Sequence, residues 1–126
     1  MYYIYMILDI VKLSIIFTLI DSVYLYSMSG KFQKMIKNIQ GSELKMNIIP
    51  TIICYIFLIF SLYYFIVSKK QKVLDAFLLG LGIYGVYETT NLAIFKKWDP
   101  IIGTVDTIWG GILFSLTYFI YLQIPF

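Results

Sequence analysis

The chain is 126 residues long, 60% hydrophobic, 19% aromatic and 13% charged, with a formal net charge of +3. A soluble domain averages about 45–50% apolar and about 25% charged residues, and a core of this size cannot hide the excess, so lipid must solvate much of the surface. Histidine is absent and there is one cysteine, which excludes an internal disulfide and removes the commonest metal ligand and the usual general base near neutral pH.

Four apolar runs follow one another, each near the length of about 20 residues that crosses roughly 30 Å of hydrocarbon. The first covers residues 3–26. No basic stretch precedes it and no small-residue cleavage site follows, so it reads as a retained span rather than a signal peptide. Asp9 and Lys12, three apart within it, read as a local pair snorkelling to the nearer interface. The second run, 48–67, opens with Pro50, tolerated in a first turn, and holds Cys54 in an apolar setting that marks an inert thiol. The third covers 73–95, and the fourth, 100–122, starts at Asp99-Pro100, an N-cap followed by proline at the first helical position. None of the runs alternates as barrel strands do, so helices are expected to satisfy the backbone in lipid. The expected fold is all-α: a single domain, residues 1–126, forming a four-helix transmembrane bundle. Gly80, Gly82 and Gly85 lie inside a span and follow no strand, so they read as helix-packing positions rather than a nucleotide loop.

The connections differ. Residues 68–72 (SKKQK) and 96–99 (KKWD) are tight turns, which makes spans two, three and four antiparallel neighbours. The first connection, GKFQKMIKNIQG, places Phe32, Met35, Ile36 and Ile39 on one helical stripe with Lys31, Lys34 and Lys37 off it. It predicts a short amphipathic helix between spans one and two. That helix either lies in the membrane surface with its lysines at anionic headgroups or packs on the bundle as an ordinary loop helix. Lys31, Lys34, Lys37, Lys45, Lys96 and Lys97 fall on one side of the membrane, against Lys69, Lys70 and Lys72 on the other. The positive-inside rule then puts the first and third connections in the cytoplasm and both termini outside, in a plasma (inner) membrane. The lysines are few and hug the spans, so no nucleic-acid partner is expected.

Three carboxyls interrupt the spans at one depth. Asp21 lies about 8 Å from the end of the first, Glu88 about 10 Å from the end of the third, and Asp106 about 9 Å into the fourth, all toward the same leaflet. Asn91 is three residues from Glu88 and shares its face; Trp109 and Gly110 share the face of Asp106. A carboxylate at that depth costs several kcal/mol unless it faces the interior and finds partners. The sequence has no arginine. Partners are therefore expected among Asn91, Ser22, Thr89, Thr90, Thr104, Thr107, tyrosine hydroxyls, the Trp109 indole, water or a bound cation. Glu88 and Asp106 sit at nearly equal distances from the 96–99 turn, close enough to share a proton. The sequence points to a polar pocket in one leaflet, built from Asp21, Glu88, Asn91 and Asp106 and walled by Tyr87, Trp98 and Trp109.

The string Tyr87-Glu88-Thr89-Thr90-Asn91-Leu92-Ala93, then Trp98, then Val105-Asp106 and Trp109-Gly110, resembles the small bacterial predicted membrane proteins grouped as domain of unknown function 2177. Asp21, Tyr24 and Leu25 match that family's first-helix pattern, with Tyr24 where tryptophan is usual. Pro50 and Tyr55 match its second-helix pattern, and Glu88 stands where aspartate is common. The resemblance runs over nearly the whole chain. It implies a four-helix membrane protein and supplies no activity.

Two functional readings stay open. The acids form a site for a small cationic or polar ligand, an ion or a lipid headgroup, since intramembrane acids default to function. Alternatively they are interhelical glue in an accessory or assembly protein. Two acids could also do acid–base work, but no histidine, activated serine or redox pair accompanies them, and no cofactor or metal motif is present, so catalysis is the least supported reading. The chain has no inverted repeat, so transport would require a homo-oligomer.

Overall fold

The computed structural model describes residues 2–125. It consists of four helices with no strand among the described residues: α1 (Tyr2–Gln40), α2 (Ile48–Leu62) continued by a π-helical turn (Tyr63–Val67), α3 (Val73–Ile94) and α4 (Pro100–Gln123). The helix boundaries at Ile48, Val73 and Pro100 coincide with the starts of the apolar runs. Asp99 caps α4 as its sequence dictates, its side chain accepting from the Ile101 N–H at 2.8 Å with proline next in line. Three stretches are long and apolar enough to cross a membrane: α1, α2 with its π turn, and α4. α3, at 22 residues, has the length but carries Asp75, Glu88, Thr89, Thr90 and Asn91, which dilute its apolar character.

The amphipathic segment is helical, but it is not a separate helix between the first two spans. α1 runs without a break through Gly30 to Gln40. A glycine inside a helix costs only about 1 kcal/mol relative to alanine, and packing outweighs it: Met35 is buried with Trp98 and Ile102, and Phe32, Ile36 and Ile39 close around them. Of the two fates for this stripe, the protein-packed one is realised. α1 ends at Gly41, whose φ of +76° is a left-handed cap and whose N–H donates to the Lys37 carbonyl at 2.9 Å.

The packing order also departs from the loop-length expectation. α3 lies most extensively against α4, α1 against α4 next, and α2 against α1; α2 and α3 share at most a marginal helix contact despite the short turn between them. The main core sits toward one end, where Leu13, Phe17, Leu62, Ile66, Ala76, Leu113 and Phe114 are buried together. The C-terminal half of α2 and its π turn join this core, while its N-terminal half stands off from α3. The α3/α4 contact depends on small residues: a Cβ on Gly80 would strike the Gly110 carbonyl, and one on Gly110 would lie 2.6 Å from Tyr84 Cβ. Backbones therefore meet there without side chains between them.

Candidate functional site

Toward the other end of the bundle, the three carboxyls occupy one layer. Asp21, Glu88 and Asp106 are 4%, 1% and 7% exposed. Asp21, on α1, receives both of its oxygens' donors from other helices: the Trp109 indole of α4 donates to Oδ1 at 2.9 Å, and the Tyr55 hydroxyl of α2 donates to Oδ2. Asp106, on α4, accepts from the Tyr24 hydroxyl of α1 at 2.9 Å. The Tyr24 ring stacks flat on Trp109, with centroids 4.5 Å apart and planes 4° from parallel. Glu88, on α3, accepts from the Trp98 indole at 2.7 Å through Oε1, while Oε2 is buried with no hydrogen-bond partner among the described residues. Its carboxyl lies within side-chain hydrogen-bonding reach of Asp106. Gly103 makes room for it: a Cβ there would come 3.2 Å from Glu88 Oε1.

The expected partners divide cleanly. The tyrosine hydroxyls and the Trp109 indole do serve the acids. The small hydroxyls do not: Ser22, Thr89, Thr90, Thr104 and Thr107 each donate to a carbonyl of their own helix. A hydroxyl on so short a side chain meets its i−4 carbonyl before it can reach a neighbouring helix. Three donors were not assigned to their acids by the sequence reading: Tyr24, Tyr55 and Trp98. Tyr24 and Tyr55 entered only through the family resemblance, and Trp98 through that resemblance and as a wall. A tyrosine or tryptophan at the end of an apolar run looks like an interface anchor; only the three-residue spacing of Asp21 and Tyr24 hinted otherwise.

Beside this layer a cavity of about 680 Å³ opens between α1, α2 and the α3/α4 end. Asp21 and Asp106 line it, as do Tyr87 and Trp98. Glu88, Asn91 and Trp109 do not; they sit behind its wall. Tyr87 is 57% exposed at the rim and meets Trp98 edge-on at 6.3 Å. Asn91 is buried beside Tyr87, one turn from Glu88. The far walls come from residues that carried no site expectation: Leu25, Phe32 and Ile36 of α1, Leu44 and Met46 of the connecting segment, and Leu58 of α2. Among the described residues, no three acidic or cysteine side chains gather closely enough to hold a metal ion, so the carboxyls share a layer without converging on one point.

Asp9 and Lys12, near the other end, both reach the last helix rather than serving a local role alone. The Lys12 ammonium donates to the Ile124 carbonyl and lies 4.4 Å from the centre of the Tyr121 ring, and Asp9 meets the Tyr121 side chain. This ties the first helix to the end of the last.

Apolar helices of spanning length, assembled around buried carboxyls that only aromatic donors satisfy, define a polytopic helical membrane protein. The family described as Predicted membrane protein (DUF2177) matches residues 5–121, and the chain belongs to it. No curated protein and no solved structure matches the chain.

Proposed function

We propose that all four helices cross the membrane, and that the acidic layer binds a small cationic or polar ligand, an ion or a lipid headgroup within one leaflet. The observation that carries this reading is the junction of Asp106 with the cavity. Asp106 faces a space large enough for a small molecule and lies close to Glu88, which holds a buried oxygen with no hydrogen-bond partner among the described residues. Buried polar groups are almost always satisfied, and an orphan in an acidic layer calls for a proton or a cation. α3 can cross beside α4 because Glu88 and Asn91 are buried and Leu74, Leu78, Val86 and Ile94 are exposed, while the exposed Thr89 and Thr90 bond to carbonyls of their own helix.

The orientation with both termini outside the cytoplasm rests on the lysine asymmetry. Lys31, Lys34 and Lys37 are exposed at the end of α1, free to meet anionic headgroups while the opposite stripe packs on the protein. Any transport of the ligand would use more than one copy, for want of an internal repeat.

Asp21 supports a second role within the same layer. Both of its oxygens are satisfied by donors on other helices, so it orders the bundle, while Asp106 and Glu88 are left to serve a ligand.

Thermal-shift measurements on the purified protein against ions, amines and lipids test the reading. A ligand that stabilises wild type and loses its effect in Asp106→Asn is the expected result. If nothing stabilises the protein at any pH, the acids only order the helices.

A further inference from the structure

Resting on the reading of Asp106 and Glu88 as a ligand site, we infer that the cavity takes a hydrophobic organic cation, its ammonium at Asp106 and its apolar body between α1 and α2.

The charged side chains lining the cavity are two acids, Asp21 and Asp106, and no lysine lines the space. The hydroxyls of Tyr24 and Tyr55 donate to Asp106 and Asp21, that of Thr51 to the Asn47 carbonyl, and that of Ser29 to the Tyr26 carbonyl. Each is thus left with lone pairs for a visitor. Gln33, Tyr84 and Tyr87 also line the space and can serve a neutral head, but an anionic one would meet two carboxyls and no cation. A protonated amine would find acceptors, the Glu88–Asp106 pair, and the faces of Tyr87 and Trp98, which attract cations when desolvated.

Shape decides against a bare ion. The wall supplied by α1 extends from Asp21 to Ile36, about 22 Å along the helix at 1.5 Å per residue. Beyond the acids the lining is mostly apolar, with Phe32 and Ile36 of α1, Met46 of the connecting segment and Leu58 of α2, interrupted by Ser29, Gln33 and Thr51. An ion at Asp106 would leave this surface empty. The volume of about 680 Å³ lies in the middle of the range of roughly 300–1,000 Å³ typical of small-molecule sites.

The native chain carries its own reporters. Its two tryptophans, Trp98 and Trp109, donate to Glu88 and Asp21, so fluorescence excited selectively at tryptophan, to the red of the twelve tyrosines, reads this layer. Its single cysteine, Cys54, is not the inert buried thiol its apolar setting suggested: it is exposed and lines the cavity. Three probes share one chain and differ in the head: octylammonium, octanol and octanoate, titrated into protein in nonionic detergent. Octylammonium is expected to give a saturable fluorescence change and to slow alkylation of Cys54 by N-ethylmaleimide, with octanoate at least tenfold weaker in both. Asp106→Asn should weaken octylammonium at least tenfold. Wild-type protection of Cys54 decides the matter if that variant fails to fold. Equal binding of the three probes, a preference for octanoate, or neither signal with octylammonium overturns the inference. If an ion or lipid stabilises the protein in the thermal screen while octylammonium does nothing, the site stands and its occupant is not an organic cation.

Discussion

Asp21 is the side chain on which the acidic layer turns, because its two oxygens fasten α1 to both α2 and α4. Trp109→Phe keeps the ring stacked on Tyr24 and removes only the indole N–H. Leaving a buried carboxyl oxygen without its donor should cost about 1–2 kcal/mol, the upper part of the range measured within membranes. Detergent unfolding of the variant checks it, and an unchanged midpoint would mean that Asp21 finds its donor elsewhere. Glu88 and Asp106 are buried close to one another, so their substitutions should not be additive: Glu88→Gln, Asp106→Asn and the double variant, compared by detergent unfolding, should show a coupling of about 0.5–3 kcal/mol. Additive losses would show that the two acids do not communicate. The carboxyls were legible in the sequence because an acid inside an apolar run has no cheap place to go but inward. Their donors were not, because Tyr24 and Trp98 sit where aromatic residues anchor helices to the interface, while Tyr55, inside the second span, is one tyrosine among twelve with nothing local to mark its role.

At the level of the helix, the contact between α3 and α4 is the closest in the bundle, and glycine makes it so. Gly110→Ala would bring a Cβ to 2.6 Å from Tyr84 Cβ, an atom fixed to the backbone. Overpacking of this kind costs about 1–3 kcal/mol, and α3 must shift to relieve it. Gly82→Ala is the control: nothing lies within 4 Å of a Cβ there, so the substitution should be neutral or stabilise the helix by up to about 1 kcal/mol. Melting temperatures of the two variants should fall on opposite sides of wild type or nearly so; equal gains would show that helix propensity decides and that contact at Gly110 does not. Helix limits were legible from run length and from Asp99-Pro100. The course of α1 was not. Gly30 resembles a boundary, and the residues that carry the helix past it, Trp98 and Ile102, lie more than sixty positions away in sequence. The same distance hid the stand-off of α2, since a short turn fixes chain proximity but not which faces pack.

For the molecule as a whole, the long first helix bears on the proposed topology. At 39 residues, α1 is about 58 Å long by the helical rise, near twice the roughly 30 Å of hydrocarbon. As a crossing helix it would extend beyond the bilayer, and the lysines of its last ten residues mark the part proposed to emerge. Met35 packs on Trp98, which puts that end and the 96–99 turn together. The proposed crossings of α2 and α3 put the 68–72 turn on the other side. Single cysteines in a Cys54→Ser background at Gln33, Lys70 and Lys97, all exposed positions, read this out with an impermeant maleimide applied to intact cells and to inverted vesicles. Gln33→Cys and Lys97→Cys should label from one face and Lys70→Cys from the opposite face. Labelling of all three from one face would mean that α2 and α3 enter and leave the membrane without crossing it. The acids would then lie in a re-entrant pair open to water, and the cavity beside Asp106 would be a surface cleft with no lipid around it.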